Sequence, residues 1–289
     1  MRPASCPARR GYLRSMSVQP IERMRVESLY RYPVKSMLGE SLDSLFVNAG
    51  GVDGDRTYAL IDASSGRVAS AKQARLWRGL LSCSAVTENR HVRIHLPDGS
   101  TTTTDGDDVD DLLSQFAGRP VRLIDSRPAG ASIERADPDQ VLEQGVEAEV
   151  DAPILELALA TPGNSFTDLA PVHAITTATL ERIGVEAARY RPNLVIATPP
   201  GYPPYAENEW TDEILSVGGT RLRAMGPTPR CIIPTLEHGH LPRAPHALRT
   251  PAAENRVEAF GLGPLPCAGT YLQVVTEGTV RVGDRASLG

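Results

Sequence analysis

Residues 213–226, EILSVGGTRLRAMG, place two short apolar-rich segments on either side of Gly218 and Gly219. Paired glycines between two such segments are typical of a tight hairpin turn, so the stretch predicts two antiparallel strands. Short segments of the same kind recur in both directions along the chain, at residues 24–34, 56–70, 83–104, 120–125, 189–198 and 270–288. Many short strands joined by Gly and Pro turns predict a mainly β fold, built as a barrel or a sandwich.

Helices should be few and short, because the chain contains 24 prolines and proline interrupts helices. Residues 107–116 favour one helix, since acidic residues stand in its first turn. A second helix is predicted to begin near Thr176 or Thr177, either of which can cap its N-terminus, and to end before Gly184.

These patterns divide the chain into four parts. Residues 1–23 lack any apolar periodicity, and we expect a disordered tail that is excluded from the fold. Residues 24–126 form a mostly antiparallel first domain, and residues 127–152, which are acidic and weakly periodic, form a connector. Residues 153–289 form the second domain.

Composition excludes several classes of protein. The net charge of −5 disfavours a nucleic-acid binder, which usually carries a basic face. No apolar run approaches the roughly 20 residues that a membrane helix needs, so no membrane span is expected. The four cysteines include no pair spaced for a zinc or iron–sulfur site, and no secretory signal is present. We therefore expect a reduced, cytoplasmic protein.

Two lysines stand out, because Lys35 and Lys72 are the only lysines among 30 basic residues. Lys35 and Ser36 follow a strand that ends at Pro33, and such a pair can bind a phosphate, although it can also be an ordinary solvated loop. Arg56 leaves a glycine- and aspartate-rich turn that either aims it inward or serves only structure. Lys72 lies at the polar tip of a loop that can line the same pocket or simply face solvent.

Two further segments combine cations with other polar groups. Arg189 and Arg191 alternate ahead of an apolar strand, and Asn193 lies at the entrance of that strand. With Glu207 downstream, one expected role is a pairing of arginine with carboxylate. Residues 227–235, PTPRCIIPT, hold one cysteine between prolines, and Arg230 favours the thiolate of Cys231 by its charge. A thiolate suits a soft metal, although Cys231 can equally be a small buried residue.

Read in order, seven segments resemble the MOSC family, the molybdenum cofactor sulfurase C-terminal domain preceded by its β-barrel partner. They are YPVKSMLGESL, GVDGDRTYALID, FTDLAPVHAITTATLERI, RYRPNLVI, YAENEW, PRCIIPT and EGTVRVGD. The resemblance is greatest to the amidoxime-reducing branch, which reduces N-hydroxylated compounds.

The resemblance implies two packed β-barrel-like domains and a molybdenum cofactor, a pyranopterin dithiolene that holds molybdenum. It makes Cys231 the metal ligand and the catalytic residue, and it places Lys35, Ser36 and Arg56 at the pterin and its phosphate. Further residues fall in segments that line the same site: Lys72, Thr176, Thr177, Arg189, Arg191, Asn193 and Arg230. A local group of cations inside an acidic protein agrees with an anionic cofactor.

The implied activity is that of an oxidoreductase that reduces small N-hydroxylated substrates. Its electrons would come from a separate redox protein of the ferredoxin, flavoprotein or cytochrome type. Two other functions stay open: a non-catalytic carrier of the cofactor, and a sulfur carrier that uses Cys231 as a persulfide. A barrel with a structural role alone is a third alternative.

Overall fold

The computed structural model describes residues 24–289, so the predicted tail at residues 1–23 lies outside the described residues. The strands are β1 Met24–Arg31, β2 Glu40–Leu42, β3 Ser44–Asn48, β4 Gly51–Val52, β5 Ala59–Asp62, β6 Ser84–Glu88, β7 His91–His95, β8 Thr101–Thr103, β9 Val121–Ile124, β10 Ser132–Glu134, β11 Ile154–Glu156, β12 Val172–Thr176, β13 Leu194–Ala197, β14 Ile214–Val217, β15 Thr220–Pro229, β16 Arg256–Glu258, β17 Pro264–Thr276, β18 Gly278–Arg281 and β19 Arg285–Leu288. The α-helices are α1 Ala74–Trp77, α2 Val109–Ala117, α3 Pro138–Gln144, α4 Thr177–Ile183 and α5 His246–Glu254. The expectation of a mainly β protein with a few short helices is confirmed. No helix among residues 24–289 is long and apolar enough to span a bilayer.

Seven strands close into a barrel in the order β12, β13, β1, β19, β14, β15, β17 and back to β12. The predicted hairpin at residues 213–226 is confirmed as β14 and β15, with Leu215 opposite Leu222. Buried and less buried residues alternate along β15, as a strand with one face inward requires. The leucines of these strands and Leu272 of β17 are fully buried in the main core, and burying such a side chain contributes about 1.5–3 kcal/mol.

The two halves of the chain are interleaved. Strand β1, at the start of the predicted first domain, pairs with β13 and β19 of the second half and so belongs to the barrel. Strand β3 likewise pairs with β18. The rest of the first half forms smaller sheets, β5 with β9 and β6 with β7 and β8, over a separate core that includes Leu60, Ile94 and Leu113. Main-chain pairing therefore ties β1 and β3 of the first half to strands of the second half.

The second predicted helix is confirmed as α4. The hydroxyl of Thr176 caps it by accepting a hydrogen bond from the Thr179 amide, and Gly184 ends it in the left-handed conformation, at φ 76°. Strand β12, which the sequence analysis did not separate from this helix, runs directly into the cap. The first predicted helix is α2, which begins two residues later than expected.

The segment predicted as a connector, residues 127–152, contains regular structure. Strand β10 pairs with β11, and α3 begins at Pro138 behind Asp137, whose carboxylate accepts from two backbone amides. Val141 of α3 packs in a small core with Ile232 and Leu236. This part of the chain therefore supports the loop that follows Cys231.

Candidate functional site

An open cavity of about 690 Å³ lies between the first half of the chain and the barrel. It brings together eight of the eleven residues that the sequence analysis singled out: Lys35, Ser36, Arg56, Arg189, Arg191, Asn193, Arg230 and Cys231. Five of the eight are cations, so the wall is strongly positive.

Lys35 reaches the cavity from the turn after β1. Its ammonium donates to the carbonyl of Phe166 at 2.8 Å and to the Asp168 carboxylate at 2.7 Å. Burial lowers the pKa of Lys35 to about 8, although Asp168 opposes the shift. Ser36, beside it, adopts a φ of 65°, and its hydroxyl accepts from the Ala71 amide at 3.0 Å. The Lys-Ser pair is thus built into the wall and is not a solvated loop.

Asp168 joins the two lysines of the chain. Lys72 approaches its second carboxylate oxygen at 3.0 Å, and Lys72 itself lies outside the cavity lining. Burial disfavours the charged form of Asp168, but Lys35 and Lys72 outweigh it and hold the pKa of this carboxyl well below its usual range. Asp168 is therefore an anion at neutral pH and compensates part of the positive wall.

Arg56 and Arg191 are neighbours in space. Arg56 binds the Asp55 carboxylate at 2.5 Å and donates to the carbonyl of Arg191 at 2.9 Å. Arg191 donates to the carbonyl of Met37 at 2.6 Å, while its buried Nη2 has no hydrogen-bond partner in the described structure. Burial, and then the charge of Arg56, lower the pKa of Arg191 to about 10. The cavity wall therefore holds a guanidinium with an unused donor.

Arg230 is held by carbonyl groups and a histidine. Its Nε donates to the carbonyl of Ala268 at 2.8 Å, and its Nη2 contacts both that carbonyl and Nε2 of His173. Burial, followed by the charge of Arg230, holds the pKa of His173 well below its usual range. The ring is therefore neutral and can accept from Arg230 through Nε2. His173 also lines the cavity, although it was not singled out from the sequence.

Arg189 and Asn193 fix the neighbouring backbone. Arg189 donates to Glu186 at 2.7 Å and to the carbonyls of Leu236 and Pro242 at 3.1 and 2.8 Å. Asn193 accepts from the His173 amide through its side chain, at 3.1 Å. Arg189 thus ties the loop after Cys231 to the barrel, and Asn193 ties β12 to the entrance of β13.

Cys231 follows the end of β15 and is partly exposed on the cavity wall, while Cys83 and Cys267 are buried free thiols. Within residues 24–289, no three His, Cys, Asp or Glu side chains come together as a metal site. A metal bound here would take one thiolate from the chain and its other ligands from the group that carries it.

Thr176 and Thr177 lie away from the cavity. The hydroxyl of Thr176 donates to the buried Glu207 carboxylate at 3.0 Å, and Thr177 bonds with Thr198 at 3.1 Å. The expected pairing of Glu207 with an arginine is wrong, since its carboxylate accepts from threonine hydroxyls and from the Gly269 amide at 3.1 Å. These groups brace the barrel behind the site.

Several polar residues of the wall were not singled out from the sequence, among them Asp168, Thr228 and Tyr271. Asp168 stands in a segment without periodicity, and Thr228 and Tyr271 lie on strands, where a polar residue ordinarily faces solvent. The hydroxyl of Thr228 is buried and has no hydrogen-bond partner in the described structure. Together with Nη2 of Arg191, it is a polar group that a bound ligand can satisfy.

The chemistry of the wall suits an anion that carries a soft metal. Arg191 and Arg230 are 8% and 7% exposed, and within the described residues neither pairs with a carboxylate. A buried cation without a counter-ion is unfavourable, and a bound anion removes that penalty. Cys231, on the same wall, adds the one thiol.

Comparison with known proteins gives matches over both halves of the chain. The MOSC N-terminal beta barrel domain matches residues 23–118, and the MOSC domain matches residues 163–287. Mitochondrial amidoxime-reducing component 1 of Mus musculus is 24% identical over 292 aligned positions, which cover 90% of this chain and 80% of that protein. Among solved structures, the YUAD protein from Bacillus subtilis has 12% identity and a TM-score of 0.38, covering 92% of this chain and 94% of its own. YiiM from Geobacillus stearothermophilus has 15% identity and a TM-score of 0.29, covering 55% and 73%.

Proposed function

Because the chain belongs to the MOSC family, with a MOSC N-terminal beta barrel domain followed by a MOSC domain, we propose that it uses a molybdenum cofactor to reduce small N-hydroxylated compounds. MOSC domains are associated with binding of this cofactor. The proposed substrate class follows the amidoxime-reducing relative, which aligns with most of the chain. The electrons would come from a separate redox protein of the ferredoxin, flavoprotein or cytochrome type.

The observation that carries the proposal is the pair of buried guanidiniums, Arg191 and Arg230, on the same wall as the Cys231 thiol. Both are held by carbonyl oxygens, which fix their positions without cancelling their charge. A phosphate or another oxyanion is the ligand that such fixed cations bind best. The molybdenum cofactor combines an anionic phosphate end with a metal that accepts thiolate, so the residues fit it.

Each part of the wall has a role in holding the cofactor. Arg56, Arg191 and Lys35 would bind its anionic end, and Lys35 is protonated at neutral pH because its pKa is about 8. Cys231 would ligate the metal as a thiolate, the form in which a cysteine binds a metal. When bound, the cofactor supplies two-electron redox chemistry, which the side chains of this protein cannot perform.

The net reaction balances as one N–OH group, two electrons and two protons giving one N–H group and water. The redox partner supplies the electrons, and solvent, which reaches the open cavity, supplies the protons. The chain's own contribution is to position the cofactor and the substrate and to maintain the positive field around them. We further propose a cytoplasmic location, since Cys83, Cys231 and Cys267 are free thiols, as in a reducing compartment.

Metal analysis followed by an activity assay tests the proposal. The full chain, produced in a host that makes the cofactor, should contain about one molybdenum per protein and should reduce benzamidoxime with reduced methyl viologen as electron donor. Cys231→Ala should remove the metal and the activity. Cys83→Ala, which alters a thiol buried in a different core, should keep both.

The outcomes separate the alternatives. Stoichiometric molybdenum without benzamidoxime reduction would contradict the proposed reaction and favour a cofactor carrier. A wild-type protein without molybdenum, or a Cys231→Ala variant with full activity, would overturn the cofactor site itself.

A further inference from the structure

One aromatic ring contacts two of the cavity's arginines from behind. The guanidinium carbons of Arg56 and Arg191 each lie 4.4 Å from the centroid of the Tyr32 ring. Tyr32 is 2% exposed and is not part of the cavity wall, whereas both arginines are. The two guanidinium groups, which carry the same charge, therefore lie close to each other, and the same ring contacts both.

Tyr32 contacts the two arginines through the face of its ring and not through its hydroxyl group. The hydroxyl of Tyr32 is buried and has no hydrogen-bond partner in the described structure. An aromatic face attracts a cation, and the attraction grows when both groups are removed from water. Arg56 also has Asp55 as a counter-ion, whereas the Arg191 guanidinium is held by the ring and by the carbonyl oxygen of Met37.

Hydrogen bonds also fix the main chain of Tyr32 relative to the arginines that its ring contacts. Arg56 and Arg191 have φ angles of 47° and 53°, in the left-handed region that residues with a side chain seldom adopt. The Arg56 amide donates to the carbonyl of Tyr32 at 2.7 Å, and the Tyr32 amide donates to Asp55 at 2.8 Å. Arg56 and Arg191 thus both have an unusual backbone conformation, and both guanidinium groups contact the Tyr32 ring.

The unpartnered donor of Arg191 indicates that a ligand binds here. Nη2 of Arg191 is buried and unpartnered within the described residues, and Arg191 lines the cavity. We propose that Tyr32 is a positioning residue, whose ring face holds Arg56 and Arg191 together so that the pair binds the phosphate or similar oxyanion of the ligand. This inference rests on the proposed function, because it assumes an anionic group in the cavity.

The test replaces the charge distribution of the ring while keeping its shape. Cofactor-free full chain is titrated with inorganic phosphate by calorimetry, as wild type, as Tyr32→Phe, and with 3,4,5-trifluorophenylalanine at position 32. Phenylalanine keeps the negative ring face, whereas fluorination removes it. We expect Tyr32→Phe to bind phosphate within about twofold of wild type, and the fluorinated ring to weaken binding about tenfold.

Two controls separate positioning from stability and from failure of the site. Arg119→Ala removes a guanidinium 5.1 Å from the Trp77 ring, away from this cavity, and should change the melting temperature but not the phosphate affinity. Arg191→Ala should lose phosphate binding. If the fluorinated variant binds like wild type while Arg191→Ala does not bind, the role of Tyr32 is refuted and the anion site stands. If wild-type protein does not bind phosphate, the anion site and this inference both fail.

Discussion

Replacing Gly269 with alanine should disturb the site through a single methyl group. Gly269 lies in β17 with a φ of +79°, and a Cβ there would be 2.5 Å from Nε2 of His173, 2.6 Å from the carbonyl of Ala174 and 3.2 Å from Nη2 of Arg230. Two of these neighbours line the cavity, and the third is backbone of the adjacent strand. None can move without breaking the contact between His173 and Arg230 or the pairing of β12 with β17.

Two effects add in the expected loss of stability. A left-handed conformation costs a residue with a Cβ about 1–2 kcal/mol. Forcing an extra methyl into a closely packed position costs a further ~1–3 kcal/mol. The sum of roughly 2–5 kcal/mol predicts a melting temperature lower by about 5–15 °C in a chain of this size.

The matched control is Gly184→Ala at the end of α4. Gly184 has nearly the same φ, +76°, but no atom would lie within 4 Å of a Cβ at this position, so the control measures conformational strain alone. Thermal unfolding followed by far-ultraviolet circular dichroism, on both variants and wild type, gives the comparison. Equal losses in the two variants would refute the close approach of Gly269 to His173.

Three further predictions concern charged groups of the site and of the barrel behind it. The affinity for sulfate, measured by calorimetry from pH 6 to 9 and so below the pKa of about 10 of Arg191, should fall as the pH rises above about 8, because Lys35 is charged below its pKa of about 8 and neutral above it. Lys35→Arg should remove this dependence over the same range, and identical pH profiles in the wild type and the variant would exclude Lys35 from the anion site. Asp168→Asn should lower the stability of cofactor-free protein at pH 7 by about 1–3 kcal/mol in urea unfolding, less than for a fully buried pair because the Asp168 side chain is 34% exposed. This loss should vanish under acid conditions, where wild-type Asp168, whose pKa is held low by Lys35 and Lys72 against burial, also loses its charge; a loss that persists would contradict the ion pairs. Glu207→Gln should lower the free energy of unfolding by about 1–3 kcal/mol in the same assay, because an amide donor would replace one of the oxygens that accept from the threonine hydroxyls and the Gly269 amide. A variant as stable as wild type would show that the carboxylate is dispensable.

Local features of the fold could be predicted from the sequence, whereas the order in which the strands pair to close the barrel could not. Helix α4 and the β14–β15 hairpin were predicted because caps and turns are encoded by adjacent residues such as Thr176, Gly184 and Gly218. The entry of β1 into the barrel depends on pairing with β13 and β19, more than 160 residues away along the chain. No local pattern reports such a pairing, so the interleaving of the two halves was not foreseen.

The same limit applies to the site. Arg230 and Cys231 stand in a distinctive proline-rich segment, and the structure places both on the cavity wall. Asp168 has no such signal, since its importance arises from meeting Lys35, 133 residues earlier in the chain. The sequence around Thr176 correctly predicted that this residue caps α4, which is a local feature. It did not show that the Thr176 hydroxyl contacts Glu207 and lies away from the cavity.

Arginines that are held by carbonyl groups alone differ in this acidic protein from arginines that are paired with a carboxylate. Arg31 and Arg67 lie against the carboxylates of Glu40 and Glu134, at 2.8 and 2.5 Å, so their charge is neutralised within the fold. Arg191 is held instead by a carbonyl, with one donor left over. A carbonyl dipole fixes the direction of a guanidinium but leaves its net charge to act on whatever enters the cavity. The number of arginines in the sequence is therefore uninformative about binding, and the guanidiniums most available to a bound anion are those of Arg191 and Arg230, which the fold buries without a carboxylate partner.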